Sequence, residues 1–278
     1  MKKNKIKNNL FLIAFFLVVF FSSFVVIKYD KTSYSKFNIP YNELIKSDSA
    51  HYFLKAEIFK ENLKSGRFLD LTNDYQASLF YPLALGYFYK IFNINLFEDN
   101  KINNHKVVNN TKIKILFLIF QSTIYLLSVL FLSKKMKKHF SKRIVLFSTL
   151  FLIFEPTIFQ FHALFMTEIF YLSCLNFLIG IIIDQSENIK TNFLLGILIG
   201  ISYLIKTVSF LIIIPVIFYY IFVFKKKSYL PIISIILGYS LVILFLRYSN
   251  YQRSGIFYIK PTQSMDAPYW YMAHIIDA

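Results

Sequence analysis

The sequence predicts an all-α fold: a polytopic transmembrane helical bundle of about seven spans, with two juxtamembrane amphipathic helices in its first outer loop. Three observations predict it. Of 278 residues, 56% are hydrophobic and 19% aromatic, whereas soluble domains are roughly 45–50% apolar. The hydrophobics gather in long runs instead of recurring at a helical or strand period, which is the pattern of segments that cross a bilayer. The formal charge of +16 is concentrated in lysine blocks at the ends of those runs, where it orients a membrane protein and meets anionic lipid heads. No zinc-finger spacing or aromatic–basic motif accompanies the lysines, so membrane lipids and not nucleic acid are the expected partners. The single cysteine, Cys174, lies in an apolar run and can form no intrachain disulfide.

The whole chain, 1–278, reads as a single membrane domain. "MKKNKIKNN" precedes the first span, residues 10–27 (Leu10–Ile27), about 27 Å long as a helix. The run exceeds a signal-peptide core and no small-residue cleavage site follows, so an anchor with a cytoplasmic N-terminus is expected. An outer loop, residues 28–112, holds "KSDSAHYFLKAEIFKENL" and "SLFYPLALGYFYKIF". Six further spans follow within 113–246. Ile113–Leu132 is the first of them. The tract Ile144–Ile183 is about twice the length that crosses roughly 30 Å, so it folds as a hairpin turning near His162–Thr167. Phe193–Phe224 is one long span or two, the first, Phe193–Ile205, being short. Charge arbitrates: with two, the N-terminal lysines, the basic residues from Lys134 to Arg143, and Lys225–Lys227 all lie inside. Pro231–Leu246 is the seventh, and 247–278 is an outer tail.

Chemistry is sought among the few ionisable groups near the outer ends. Asp48 heads a stretch in which Tyr52, Phe53, Ala56, Phe59 and Leu63 recur near the helical period, with Lys55, Glu57, Lys60 and Glu61 between them. That describes an interfacial helix. An acid at its N-terminus, with His51 and Tyr52 one turn on, is a helix cap, a transport site or a catalytic base. Glu168, in "HALFMTEIF", falls where the third and fourth spans turn, and Thr167 is positioned to cap the fourth. Glu155 lies inside the apolar tract beside Pro156, an expected kink, and an ionisable group there is a functional candidate. Lys206 ends the short fifth helix in "GILIGISYLIKTVSFLIIIP". It is either a snorkelling lysine or a point charge suited to a phosphate. The five histidines have no ligand spacing, so no metal site is expected. Tyr269, Trp270 and Tyr271 read as an interfacial aromatic belt.

In this order, "SDSAHYFLKAEIF", "SLFYPLALGYFYKIF", "MTEIF" and "GILIGISYLIKTVSFLIIIP" resemble the conserved membrane module of GT-C class glycosyltransferases. The likeness is to the polyprenyl-phosphate-sugar-dependent branch, which includes protein O-mannosyltransferases and aminoarabinose transferases. The resemblance implies a transferase in the cell membrane, multi-pass, with its active site facing the periplasm or exterior. It implies a polyprenyl-phosphate sugar donor, a glycan, lipid or protein acceptor, and a product in the cell-envelope glycans. Asp48 corresponds to the family's base and Lys206 to the basic residue that contacts the donor phosphate. Glu168 is then a second catalytic residue, while His51, Tyr52 and Glu155 are substrate-binding. No cofactor is expected; a divalent metal is compatible but not required.

The sequence departs from the family in three ways. Asp48 is followed by Ser49 instead of a second acid, Lys206 replaces the usual arginine, and relatives continue with further spans where this chain stops. Two alternatives follow: a truncated or split GT-C module acting as a non-catalytic membrane subunit, and a transporter or lipid flippase. The nearly unbroken apolar character of the first, second, fourth and seventh spans argues against the latter.

Overall fold

The computed structural model describes residues 2–29, 32–34, 40–42, 52, 56, 59–60, 80–92, 97–99, 106–108, 111–184, 188–225 and 228–254. The class is all-α. The long helices are α1 (Lys2–Tyr29), α2 (Phe80–Ile91), α3 (Thr111–Met136), α4 (Lys142–Phe154), α5 (Pro156–Phe161), α6 (Glu168–Ile183), α7 (Ile189–Ile205), α8 (Ile213–Phe224) and α9 (Tyr229–Ser254). A 3₁₀ segment, Thr207–Ile212, precedes α8. The first long loop adds two antiparallel ribbons of three-residue strands that the sequence reading lacks. They pair β1 (Thr32–Tyr34) with β2 (Pro40–Asn42) and β3 (Phe97–Asp99) with β4 (Lys106–Val108). Strands this short are too brief to register as an alternating pattern.

The chain forms two compact units, residues 1–53 with 91–185, and 54–90 with 186–278. In the first, α3 packs on α6 and α1. On α1, Val18 and Ser22 are buried, while Phe16, Phe20, Phe24 and Ile27 are exposed, as expected when one stripe meets protein and the rest meets lipid. The tract from Ile144 to Ile183 breaks twice. Ser141 caps α4, its hydroxyl accepting from the Ile144 N–H. The helix stops at Glu155 (φ −58°, ψ 126°), because Pro156 excludes the helical conformation of the residue before it and lacks an N–H. Pro156 then serves as the first residue of α5. The second break, at residues 162–167, reverses the chain into α6. At the far end of α6, Asp184 accepts from both Lys135 and Lys138, tying this end to α3. The two lysine donors hold the Asp184 carboxyl below its ordinary range.

In the second unit, α2 buries Tyr81, Leu85 and Tyr89, an i, i+4, i+8 stripe. Ala56 and Phe59, both helical, press on it at Gly86. A methyl at Gly86 would lie 2.9 Å from the Ala56 carbonyl oxygen. Lys60, expected on a solvated face, is instead buried and engaged in an interaction; its aliphatic stem makes such a position attainable.

Helix α7 begins at Ile189, with the Asn188 side chain accepting from the Lys190 N–H at 2.9 Å. The fifth apolar helix is therefore 17 residues, about 26 Å, and less short than Phe193–Ile205 suggested. Its polar start hides it from hydropathy, yet Asn192 is buried and accepts from Tyr220 Oη on α8 at 2.7 Å. Among the described residues, helix α9 packs on α7 more extensively than any other helix pair does. Gly196 lies against the Ile235 and Tyr239 backbone and Gly238 against the Phe193 and Ile197 backbone, with no room for side chains, and Gly200 faces Val242. This is small-residue packing, the usual means of close approach between membrane helices.

Three helical stretches among the described residues are long and apolar enough to cross a membrane: Lys114–Met136, Thr207–Phe224 and Tyr229–Tyr248. Phe15–Val25, Glu168–Ile183 and Ile189–Ile205 are shorter apolar helices. Large exposed side chains such as Phe20 (72%), Phe147 (73%) and Phe222 (75%) require a non-aqueous surround.

Candidate functional site

Asp48 and His51 lie outside the described residues. Tyr52 is helical, half-buried and engaged in an interaction. The remaining predicted site residues divide between the units: Glu155 and Glu168 in the first, Lys206 in the second.

Glu155 occupies the break that Pro156 makes. Its Oε2 accepts from the Ile158 N–H at 2.7 Å, satisfying one of the orphan donors at the start of α5. The carboxylate thus has a structural use in addition to its expected role in substrate binding.

Glu168 is the first residue of α6, where a negative charge is favoured by the helix dipole. Thr167 sits at the cap position but its hydroxyl makes no cap bond; its carbonyl accepts from Tyr171. What fixes the approach to Glu168 is α3. Gln121 Nε2 donates to the Leu164 carbonyl at 3.0 Å and to the Phe161 carbonyl at 3.5 Å. Ser22 on α1 donates to the His162 carbonyl at 3.2 Å. His162 Nδ1 lies 2.8 Å from Ser122 Oγ, with its ring edge-on to Tyr125 at 5.1 Å. Phe165 stacks on Phe117. Three of the turn's backbone carbonyls, which would otherwise lack side-chain partners in an apolar surround, are met by Gln121 on α3 and Ser22 on α1, while Ser122 holds the His162 ring.

His162 is fully buried, and its Nε2 has no hydrogen-bond partner among the described residues. Burial pushes the imidazole down to about 4, so at neutral pH it is uncharged. In the unfolded chain the group has its ordinary value of about 6.5. The unfolded state therefore binds the proton first, and this stability is present above pH 6.5 and lost as pH falls towards 4. The loss amounts to about 3 kcal/mol. The melting temperature should drop between pH 6.5 and 4 in the wild type, and His162→Asn, which keeps a group opposite Ser122, should flatten that interval. Asp184, with a depressed pKa, contributes its own loss only below about pH 4. An unchanged slope in the variant would remove His162 from the acid response.

Lys206 is the residue at which α7 ends (φ −139°, ψ 119°). Its N–H bonds the Ser202 carbonyl at 2.8 Å and its carbonyl accepts from Ser209 at 2.9 Å, so one extended residue joins α7 to the 3₁₀ segment. Arg247, on α9, lies within electrostatic reach of Tyr203 on α7 and of Tyr239. Its Nε is buried with no hydrogen-bond partner among the described residues. Neither His162 nor Arg247 stands out as a site residue in the sequence, because a lone histidine and a lone arginine carry no spacing signature. Among the described residues no three His, Cys, Asp or Glu side chains cluster as metal ligands.

The described residues form an all-α bundle of apolar helices. Residues 105–248 match the family of dolichyl-phosphate-mannose-protein mannosyltransferases, and the chain belongs to that family, a GT-C type of glycosyltransferase. No curated protein and no solved structure matches the chain significantly.

Proposed function

We propose that the protein transfers a sugar from a polyprenyl-phosphate donor to an acceptor hydroxyl on the outer face of the membrane, with inversion. The observation that carries this reading is the extent of the family match, which runs through both the Glu168 turn and the Lys206 break. On this reading the chain crosses seven times with its N-terminus inside, and the donor's lipid lies among the helices.

Asp48 acts as general base. The acceptor oxygen gives its proton to the Asp48 carboxylate and bonds to the anomeric carbon. The bond from that carbon to the phosphate oxygen breaks, and its electron pair leaves with the lipid phosphate. Charge grows on that phosphate, and Lys206 is the preorganised cation that stabilises it. Glu168 orients the acceptor. His51 and Tyr52 line the sugar pocket, and Glu155 supports the substrate from the kink. Because the leaving group is a monophosphate ester, the scheme works without a metal.

The test is sugar transfer by the purified protein from a panel of polyprenyl-phosphate sugars to peptide, glycan and lipid hydroxyls. Turnover with one donor is expected, and Glu168→Gln should lower it by about 10²-fold through misplacement of the acceptor. Absence of turnover by folded wild type with every donor would defeat this reading in favour of the non-catalytic module.

A further inference from the structure

We propose that His162 is a positioning residue: as a neutral imidazole donating from Nδ1 to Ser122, it locks the turn at residues 162–167 to α3 and so sets where the Glu168 carboxylate meets the acceptor. The inference rests on the reading above for Glu168 as the group that orients the acceptor, and on geometry for the lock itself.

The turn is held at both ends. At its start the His162 carbonyl accepts from Ser22 on α1, and the ring presents Nδ1 to Ser122 Oγ at 2.8 Å while meeting Tyr125 edge-on. Beyond its far end Ile169, fully buried, shares one apolar core with Tyr125, and Phe161, just before the turn, packs against that same core. His162, Phe165 and Thr167 are buried, whereas Glu168 is only half-buried. Glu168 is therefore the ionisable side chain that the pinned turn leaves accessible, next to one anchor and fixed in place by the other.

The two ring nitrogens define the tautomer. Nδ1 has Ser122 opposite, and Nε2 has no hydrogen-bond partner among the described residues. With the proton on Nδ1, the ring donates to Ser122 and leaves Nε2 a bare lone pair. With the proton on Nε2, a buried N–H would lack an acceptor, the rarer and costlier arrangement. In a neutral imidazole the hydrogen bond made by one nitrogen thus decides where the proton sits. Protonating both would place a charge where burial alone already disfavours it. The ring is therefore a neutral donor of fixed direction. An apolar ring in its place would fill the space and lose that direction. Core packing tolerates such an exchange, but an orienting group moved by about 1 Å loses much of its effect.

The experiment is a double-mutant cycle on sugar transfer by the full chain in nanodiscs, with His162→Phe, Glu168→Gln and the two combined. His162→Phe keeps an aromatic ring and removes the donor. It is expected to lower kcat/KM for the acceptor by about 10-fold or more, with the donor KM unchanged. In the Glu168→Gln background it should cost less than about 2-fold, because it acts through that carboxylate. His162→Asn, whose amide stands at the Nδ1 place, should rescue most of the loss. Ser122→Ala should act in the same direction as His162→Phe and serves as the test if that variant does not fold. The tautomer is read separately, from the ring-nitrogen NMR shifts of isotope-labelled histidine at neutral pH, the His162 signals being those absent from His162→Asn. A proton on Nδ1 alone is expected. Equal losses from His162→Phe with and without the Glu168 carboxylate would overturn the proposal and leave a general packing effect. Unchanged kinetics in both His162→Phe and Ser122→Ala would overturn it too, as would a proton on Nε2. A folded wild type that turns over no donor would sink the transferase reading and this role with it. Turnover accompanied by any of the other contrary results would sink this role alone.

Discussion

Asp48→Asn is expected to lower the turnover of sugar transfer by about 10²–10⁴-fold, the usual worth of a general base, with donor affinity and melting temperature unchanged. Asparagine is chosen because it separates the two roles open to this residue. As a helix N-cap, asparagine equals aspartate, since its side-chain oxygen accepts from the same backbone N–H groups. A capping role therefore survives the substitution and a proton-accepting role does not. The amide still accepts a hydrogen bond from the acceptor hydroxyl, so orientation is kept and the missing step is removal of the proton. The effect should appear in kcat, with the KM for the donor near its original value, because the interaction is made only as the new bond forms. Rate measurements with saturating donor, beside thermal melts of both proteins, decide the matter. Equal rates would leave Asp48 as a cap and remove it from the chemistry.

The fold was legible where the sequence carries its information in runs. Break points at Pro156 and Lys206 and the reversal near His162–Thr167 all fall where hydropathy, proline and charge meet, and α4, α5, α6 and α7 begin or end there. Other features could not be read because the relevant signal is local and polar. Asn192 and Lys190 interrupt hydropathy, so the apolar pattern starts later than α7 does, although Tyr220 satisfies the amide and makes its burial affordable. The three-residue ribbons contain too few residues to alternate. Lys60 fits the polar side of an amphipathic helix by spacing alone, and only the packing of its neighbours buries it.

The site was legible in part for the same reason. Glu168 and Lys206 stand out as ions at the ends of apolar runs. The residues that hold the Glu168 turn, Gln121, Ser122 and Ser22, are neutral and small, and are separated from it by 40 or more positions. Nothing in their own vicinity distinguishes them from other polar residues scattered in a membrane helix. The apolar run ends at Leu246 and so places Arg247 in the outer tail, but helix α9 continues to Ser254 and carries the arginine on the helix that packs against α7.

That packing yields the second large effect. Gly196→Ala and Gly238→Ala are each expected to destabilise the α7–α9 pair by about 3 kcal/mol or more, beyond the ordinary range for one added methyl in a core. The reason lies in what the methyl would meet. At Gly196 it would overlap the Ile235 carbonyl oxygen, and at Gly238 the Phe193 carbonyl oxygen, both backbone atoms that move only if the helices separate. Separation would forfeit contacts along the whole pair, in a solvent of lipid tails where close packing is a main source of association. Gly200→Ala is the comparison. There the methyl would meet the Val242 side chain at 2.7 Å, and a side chain can yield by a small shift, so a milder loss is expected. Gly180→Ala, which would press on the edge of the Phe131 ring, belongs with the milder class. Thermal unfolding and protease susceptibility of the four variants in detergent would rank them. If Gly196→Ala melted with Gly200→Ala, the backbone contact would not be what limits the approach of these helices.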